Sequence, residues 1–196
     1  MKRSRLVAPA TLALSAALVL SACGSTSEAG SGAGSSSAAA GDCGTATTTT
    51  EGIGNDACGV TVEGGFGVKP VITIGDQTKD VTQLQVIDLV EGTGDPVLAN
   101  ARVLADYAGV GASTTKQFDS SFDRGQPSEF GLDEVIFGWT QGIPGMKLGG
   151  RRLLIIPGAL AYGANPTSPD IEPNEVLVFV VDMVNFINPG ETAPAK

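Results

Sequence analysis

The chain has 196 residues, 42% of them hydrophobic and 17% charged, which is enough apolar mass for one small folded domain. Its 12 Lys and Arg face 21 Asp and Glu, a net charge of −9, and this argues against nucleic acid as a partner. There is no histidine, and there are only three cysteines. The composition therefore excludes Ser-His-Asp and Cys-His nucleophiles, histidine-ligated zinc and a four-thiolate site, and we expect no metal.

Residues 1–22 are predicted to be a signal peptide. Three basic residues within the first five positions precede a mostly apolar stretch, residues 6–20, that is short for a membrane span. The stretch ends Leu20-Ser21-Ala22-Cys23, which resembles a bacterial lipobox, where the cysteine is acylated before cleavage. We expect a lipid anchor on Cys23 that holds the protein at the cell membrane, outside the cytoplasm. The alternative is an ordinary cleavage site followed by a chance cysteine.

Residues 23–63 are predicted to be a flexible stalk. Of the 33 residues from 24 to 56, 26 are Gly, Ser, Thr or Ala, which cannot bury enough surface to fold. Cys43 and Cys58 are expected to form a disulfide in an oxidising compartment, although unrelated thiols or an intermolecular bridge remain open. Because both cysteines lie in sequence predicted to be flexible, their replacement is expected to leave stability and activity nearly unchanged.

The folded domain is predicted over residues 64–188, with a short tail over 189–196. The β-branched-rich runs bounded by Gly, Pro or Asp predict strands over 69–74, 83–90, 101–109, 151–156 and 176–186. The last run is apolar at every position from Val176 to Val181, which predicts a central strand with both faces buried.

One short helix is predicted between Asp133 as N-cap and Gly142 just after its last turn. Its apolar face would be Val135, Ile136 and Trp139. Five or six short strands with one amphipathic helix favour an α+β fold, an antiparallel sheet curled around that helix.

A dense series of short motifs that begins at Tyr107 resembles the FKBP-type peptidyl-prolyl cis-trans isomerase family, and the motifs occur in the same order as in that family. The resemblance covers about residues 71–186, and before Tyr107 it is only a general fit. The motifs are Tyr107-Ala108-Gly109, Phe118-Asp119-Ser120-Ser121, Arg124-Gly125, Phe130, Val135-Ile136, Gly138-Trp139, Gly145-Met146, Gly149-Gly150-Arg151-Arg152, Ile156-Pro157, Ala161-Tyr162-Gly163, Ile171-Glu172-Pro173-Asn174 and Leu177-Val178-Phe179. One departure is Glu172, which stands where the family usually has the first of two prolines.

The resemblance implies an aromatic pocket for the proline ring. In the family pattern Trp139 is the floor, and the walls are Tyr107, Phe118, Phe130, Val135, Ile136, Ile171 and Phe179. Asp119 would lie at the rim and interact with the twisted amide or hold Tyr107 and Arg124, while Tyr162 would donate its hydroxyl to the substrate carbonyl. The alternatives are that the aromatic residues are ordinary core and that Asp119 is a solvated partner of Arg124.

The activity implied is isomerisation of X-Pro bonds in proteins folding outside the cytoplasm, with no metal or organic cofactor. Twisting the imide sacrifices its resonance, and an apolar cup with a few oriented hydrogen bonds favours the twisted state without a nucleophile or a proton shuttle. Proline-containing peptides are the expected partners, macrolide inhibitors of the kind this family binds are possible ligands, and a monomer is expected. The main alternative is a non-catalytic peptide-binding or chaperone module that uses the same pocket.

Overall fold

The structure is a computed structural model that describes residues 58–166 and 168–191. Strands and helices follow one another along this part of the chain with short connections. The strands are β1 (Val60–Glu63), β2 (Val71–Ile74), β3 (Gln85–Val90), β4 (Thr93–Pro96), β5 (Arg102–Gly111), β6 (Gln117–Ser120), β7 (Ser128–Gly131), β8 (Lys147–Leu148), β9 (Arg151–Ile156) and β10 (Leu177–Ile187), and the helices are α1 (Ser121–Arg124) and α2 (Phe137–Gly142), with 3₁₀ turns at Asp76–Asp80 and Gly158–Leu160.

Six of the strands form one antiparallel sheet in the order β3-β9-β10-β5-β6, and β7 also pairs with β5. Strands β7 and β6 occupy successive parts of β5, because β7 pairs with Arg102–Ala105 and β6 with Ala108–Val110. Two further pairs, β1 with β2 and β4 with β8, are separate two-stranded sheets. This sheet with few helices confirms the predicted α+β architecture, although the short helix α1 was not predicted.

The two faces of β10 belong to two different hydrophobic clusters, which confirms its prediction as a central strand. Leu177, Phe179 and Val181 lie in the cluster beneath α2, which we call the front cluster. Val178 and Val180 lie in the rear cluster, on the other face of the sheet. A strand that alternates between two cores is apolar at every position, as the sequence showed.

The β1–β2 hairpin covers the rear cluster, and the predicted boundary after Glu63 is therefore wrong. Val60 and Val62 are fully buried there, although both lie in the stretch predicted to be a stalk. Cys58, also buried in this cluster, is disulfide-bonded. The prediction that the cysteines do not affect stability is corrected accordingly, while the pairing with Cys43 and the anchor at Cys23 lie outside the described residues.

A buried ion pair fastens the loop of this hairpin to the sheet. Arg151 and Asp182 are almost completely buried, with Nε and Oδ1 2.5 Å apart. The same guanidinium donates to the carbonyl oxygens of Gly64 at 2.6 Å and Val68 at 2.7 Å, and the Gly67 N–H donates to Asp182 at 2.7 Å. The loop thus supplies two acceptors and one donor to the ion pair in addition to the bonds within the pair, so the hairpin is an integral part of the domain.

Helix α2 begins at Phe137 with Ile136 as its N-cap, three residues later than the predicted N-cap at Asp133. Before it, the Leu132 N–H donates to the carbonyl of Ala101, the residue that precedes β5, and the Glu134 N–H closes a turn on Gly131, so this part of the chain is bonded outside a helix. Gly142 is the last helical residue and does not supply a left-handed cap. A Cβ on Gly142 would lie 2.7 Å from Leu154, so glycine here lets the helix lie close against β9.

Candidate active site

A cavity of about 270 Å³ opens on the front face of the sheet. Strands β5, β6, β7 and β10 and helix α2 supply six of its lining side chains, the segment just before α2 supplies three, and the segment after the second 3₁₀ turn supplies one. Ten side chains line it: Tyr107, Phe118, Asp119, Phe130, Glu134, Val135, Ile136, Trp139, Tyr162 and Phe179. Nine of these were predicted from the sequence.

Two predicted residues, Ile171 and Arg124, do not line the cavity. Ile171 is 5% exposed and packs within the front cluster, so it supports the cavity walls from behind. Arg124 contacts the cavity only through the two polar side chains that it binds, Asp119 and Tyr107. Both residues are therefore one step removed from a ligand in the cavity.

Trp139 is held beneath the cavity by three edge-to-face aromatic contacts. Its ring centroid lies 5.5 Å from that of Tyr107 and 5.4 Å from those of Phe130 and Phe179. The interplanar angles are 71° to 90°, the arrangement that aromatic quadrupoles favour. Its Nε1–H is buried without a hydrogen-bond acceptor among the described residues. Burying an unpaired donor costs free energy, and packing alone does not require it.

Gly109 allows two walls of the cavity to close on each other. The rings of Phe118 and Phe179 meet edge to face with centroids 5.4 Å apart, directly over this glycine. A Cβ at Gly109 would lie 2.7 Å from the Phe118 ring and 2.8 Å from the Phe179 ring. Any larger residue would therefore push these two aromatic walls apart.

The polar side of the cavity is a closed triangle of Tyr107, Asp119 and Arg124. The Tyr107 hydroxyl donates to Oδ2 of Asp119, and Nη1 of Arg124 lies 2.5 Å from Oδ1 of the same carboxylate. Nη2 of Arg124 donates to the Tyr107 oxygen at 2.8 Å, and it also donates to the Ser128 hydroxyl at 3.1 Å. Asp119 thus both pairs with Arg124, as the simpler alternative supposed, and faces the cavity.

The pKa values of the triangle keep it neutral as a unit. Burial, followed by the hydrogen bond to Asp119, raises the pKa of Tyr107 to about 12. Burial would also raise the pKa of Asp119, but the hydrogen bonds from Tyr107 and Arg124 outweigh it and hold that pKa below its ordinary value of 3.8. At neutral pH the carboxylate and the guanidinium are therefore charged and the phenol is not.

Tyr162 reaches the cavity from a tightly bonded segment. The N–H groups of Ala161 and Gly163 both donate to the Gly158 carbonyl, and the Asn174 N–H donates to the Gly163 carbonyl at 2.7 Å. A Cβ on Gly158 would lie 2.4 Å from the Asn174 carbonyl oxygen, so this contact requires glycine. The position of Tyr162 therefore depends on the turn that precedes β10.

Glu134 is the cavity residue that the sequence did not predict. Its nearest cation is Arg102, whose Nη1 lies 3.9 Å from Glu134 while its Nε is hydrogen-bonded to Glu129 at 2.9 Å. Asp133 also acts on the same guanidinium, so one positive charge faces three carboxylates at this edge. Its position beside Val135 could have indicated the cavity. The sequence instead places Glu134 in the first turn of the helix predicted after Asp133.

Residues 58–166 and 168–191, which the structure describes, contain neither a candidate metal site nor a candidate membrane span. No group of three or more His, Cys, Asp or Glu side chains there could hold a metal ion. No helix in the same residues has the length and apolar character needed to span a membrane.

Comparison with known proteins points to one family. The family model described as FKBP-type peptidyl-prolyl cis-trans isomerase matches residues 95–184. An FK506-binding protein of Streptomyces anulatus is 47% identical over 104 residues, which are 52% of this chain and 84% of that protein. A probable FK506-binding protein of Corynebacterium glutamicum is 42% identical over 102 residues, 52% of this chain and 86% of that protein.

A solved structure agrees with this result. The crystal structure of FkpA from Escherichia coli aligns with a TM-score of 0.50 and 38% identity, over 58% of this chain and 50% of that one. The family match over residues 95–184 contains all the residues of the cavity, and the two FK506-binding proteins are covered over 84% and 86% of their length. The chain therefore belongs to the FKBP-type peptidyl-prolyl cis-trans isomerases, and it is an enzyme of that class.

Proposed function

We propose that this isomerase is held at the membrane by a lipid on Cys23 and accelerates X-Pro isomerisation in proteins that fold outside the cytoplasm. The observation that carries the site assignment is the cavity itself, in which a buried indole, aromatic walls and two polar groups, Asp119 and Tyr162, converge. Its volume of about 270 Å³ leaves room for a prolyl ring with its adjoining imide. In this proposal the proline ring packs on Trp139.

The rate enhancement comes from differential solvation of the imide. The barrier of about 18–20 kcal/mol reflects the resonance of the planar bond, and uncatalysed exchange takes tens to hundreds of seconds. Bringing exchange to milliseconds requires about 10⁴-fold acceleration, or 5–6 kcal/mol. The planar imide is strongly dipolar and loses its hydration in an apolar cavity, whereas the twisted imide has less charge on oxygen and loses less.

The polar side chains have separate roles in this proposal. Tyr162 donates its hydroxyl to the substrate carbonyl and so fixes the imide over Trp139. Asp119 faces the twisted amide with its charge balanced by Arg124. Tyr107 is a positioning residue, because its proton is committed to Asp119 and its raised pKa keeps that proton in place at neutral pH.

Kinetics of single variants test these roles. Tyr162→Phe removes one hydrogen bond to substrate and should lower kcat/KM about 3- to 10-fold, the range for one neutral hydrogen bond. Asp119→Ala leaves Tyr107 and Arg124 without their shared partner and should cost more than Tyr162→Phe. Variants that fold normally and keep the wild-type kcat/KM would show that the roles of Asp119 and Tyr162 are misassigned.

The anchor rests on a separate observation, the lipobox-like sequence Leu20-Ser21-Ala22-Cys23. An acyl anchor is needed because the chain from Cys23 onward has a net charge of −12, after three positive charges are removed from −9, and anionic lipid headgroups repel it. In this proposal residues 24–57 form the spacer between the lipid and the enzyme. Their composition is 26 Gly, Ser, Thr or Ala in the 33 residues up to Asp56.

Cys23→Ala tests the anchor, with Cys43→Ala as the matched control. Wild type and the Cys43 variant should partition into detergent and lose residues 1–22 with a diacylglyceryl mass on Cys23, whereas Cys23→Ala should be soluble or uncleaved. In spheroplasts, added protease should remove the domain while a cytoplasmic marker survives. Wild type released with an unmodified Cys23 would overturn the anchor.

Two finer properties follow from the same cavity. The relatives named FK506-binding proteins support binding of a macrolide of that kind to the aromatic pocket of this chain. The ten side chains form the cavity without a contribution from a second chain, so in this proposal a monomer is sufficient for activity. A macrolide that inhibits turnover with one-to-one stoichiometry, and a monomer mass in sedimentation at assay concentration, are the expected results.

A further inference from the structure

Glu175 is a buried carboxylate that takes no part in the chemistry described above. It is 5% exposed and lies in the turn before β10. Among the described residues it has no Lys or Arg partner within salt-bridge distance, so only hydrogen bonds offset the loss of its hydration. A carboxylate is an expensive choice for a position that needs only to fill space, so its bonds indicate its role.

The carboxylate of Glu175 joins two separate segments. Oε1 accepts hydrogen bonds from the N–H groups of Ser113 at 3.0 Å and Thr114 at 2.9 Å, and from the Thr114 hydroxyl at 3.1 Å. Oε2 accepts one from the N–H of Glu172 at 2.7 Å. The fit is close, because a Cβ on Gly111 would lie 2.4 Å from Oε1. One side chain therefore ties the tip of the β5–β6 hairpin to the turn at 172–175.

These two segments support different residues of the cavity lining. The hairpin leads directly into β6, which bears Phe118 and Asp119. The turn at 172–175 holds the Tyr162 segment through the bond from the Asn174 N–H to the Gly163 carbonyl, next to Tyr162 in the chain. Glu175 is thus the described side chain that hydrogen-bonds both to the hairpin and to the turn that supports Tyr162.

We propose that Glu175 is a positioning residue that fixes the Tyr162 side of the cavity relative to the Asp119 side. The proposal rests on the proposed role of Tyr162 as a hydrogen-bond donor to substrate, because a donor contributes only when its hydroxyl is held at the right distance. Glu175 touches neither substrate nor cavity. It acts through the backbone of residues 172–175.

Glu175→Gln is the sharpest perturbation because it is nearly isosteric. With its carbonyl oxygen toward Ser113 and Thr114, the amide keeps three bonds but sets its NH₂ group against the Glu172 N–H, which breaks the link to the turn. Thr114→Val is the matched control, since it removes one bond to the same carboxylate and leaves the Glu172 link intact. We expect Glu175→Gln to lower kcat/KM about 3- to 10-fold, the range for one hydrogen bond to substrate, and Thr114→Val to stay within twofold of wild type.

A double-mutant cycle with Tyr162→Phe separates positioning from general loosening. If Glu175 acts through Tyr162, adding Tyr162→Phe to Glu175→Gln should lower kcat/KM by less than twofold more. If the two losses multiply, Glu175 acts independently and the proposal is overturned, while the role of Tyr162 stands. If Tyr162→Phe has no effect in the wild-type background, the proposed donor role of Tyr162 is refuted, and the Glu175 proposal that rests on it is refuted as well. This outcome differs from multiplying losses, which refute the Glu175 proposal alone.

A second measurement uses the unaltered protein and covers the case in which Glu175→Gln does not fold. Because they share one acceptor side chain, the amide protons of Thr114 and Glu172 should be protected from hydrogen exchange and should open with equal free energies. Protection factors for these two amides that differ by more than tenfold, or no protection at Glu172, would overturn the coupling.

Discussion

Shortening Val60 and Val62 to alanine tests whether the β1–β2 hairpin is part of the enzyme's folded core. Both valines are fully buried against the rear face of the sheet. Val71, in the partner strand of the same hairpin, is 60% exposed and provides a control of identical chemistry. If the hairpin packs as described, the two buried positions should be costly and the exposed one should not.

The magnitude follows from the burial. Each Val→Ala change removes the equivalent of two methylene groups, about 1.6 kcal/mol of transfer free energy, and the cavity left behind brings the loss to about 2–3 kcal/mol. Val60 and Val62 share one cluster, so the double variant should lose about 3–5 kcal/mol, less than a strict sum. That is a large part of the 5–15 kcal/mol typical of a domain. Val71→Ala should change the free energy of unfolding by less than about 0.5 kcal/mol.

Urea unfolding monitored by the fluorescence of Trp139, the only tryptophan, measures these differences. Isomerase activity below the transition should be unchanged in the two single variants, the double variant and Val71→Ala, because none of the three valines lines the cavity. A double variant as stable as Val71→Ala would refute the packing of the hairpin. It would also restore the boundary after Glu63 predicted from composition.

Three further predictions concern ionisation, substrate charge and the disulfide. One of the two tyrosines, Tyr107, should ionise near pH 12. The free energy of unfolding should fall as pH rises from 10 to 12, because this tyrosine ionises first in the unfolded chain. Asp119→Asn should lower the pKa of Tyr107 in an absorbance titration, and an unchanged pKa would contradict the hydrogen bond. At low salt, peptides with Lys beside proline should be turned over faster than peptides with Glu there, because the Glu134 carboxylate lines the cavity. Glu134→Gln or about 1 M salt should remove most of that preference. An equal preference in wild type and variant would exclude Glu134 as its source. Cys58→Ser should lower the free energy of unfolding by about 2–4 kcal/mol without changing kcat/KM, and a loss below about 0.5 kcal/mol would show that the disulfide does not stabilise the domain.

The site was largely predictable because its residues fall in short ordered motifs. Tyr107, Phe118 and Trp139 come from three different elements, yet each lies next to a glycine or a polar residue that marks it as more than core. Phe179 lies between two valines and was predicted only from the motif Leu177-Val178-Phe179. The central position of β10 was predictable for a simpler reason, since a strand apolar on both faces must be covered on both. In both cases local sequence and tertiary structure agree.

The first strand of the β1–β2 hairpin was not predicted because its composition resembles that of the preceding segment, whereas β2 lies within the strand predicted over 69–74. Val60 and Val62 alternate as a strand requires, but they follow a run dominated by Gly, Thr and Ala and precede Gly64 and Gly65. Their burial depends on the apolar rear face of β9 and β10, far away in the sequence. A composition average over this stretch cannot detect two valines that find a distant partner.

The start of α2 and the role of Glu175 show the same limit. Asp133 has the residue type and spacing of an N-cap, but the Leu132 N–H donates to the Ala101 carbonyl and the Glu134 N–H closes a turn on Gly131, and the helix begins only at Phe137. Glu175 looks like one more surface acid in a chain with 21 of them, and only the three-dimensional positions of Ser113 and Glu172 distinguish it. Long-range hydrogen bonds to the backbone carry no signal in local sequence.

The most direct test of the catalytic account combines turnover and binding in one titration. A proline mimic should change the fluorescence of Trp139 and saturate with the same affinity at which it inhibits isomerisation of an X-Pro peptide. Trp139→Leu should weaken binding and rate together, whereas Phe137→Leu, which alters an exposed aromatic side chain on the same helix that does not line the cavity, should change neither. The contradicting result is a folded protein whose Trp139 fluorescence responds to the mimic while X-Pro peptides exchange only at the uncatalysed rate. That result would exclude isomerisation in this cavity.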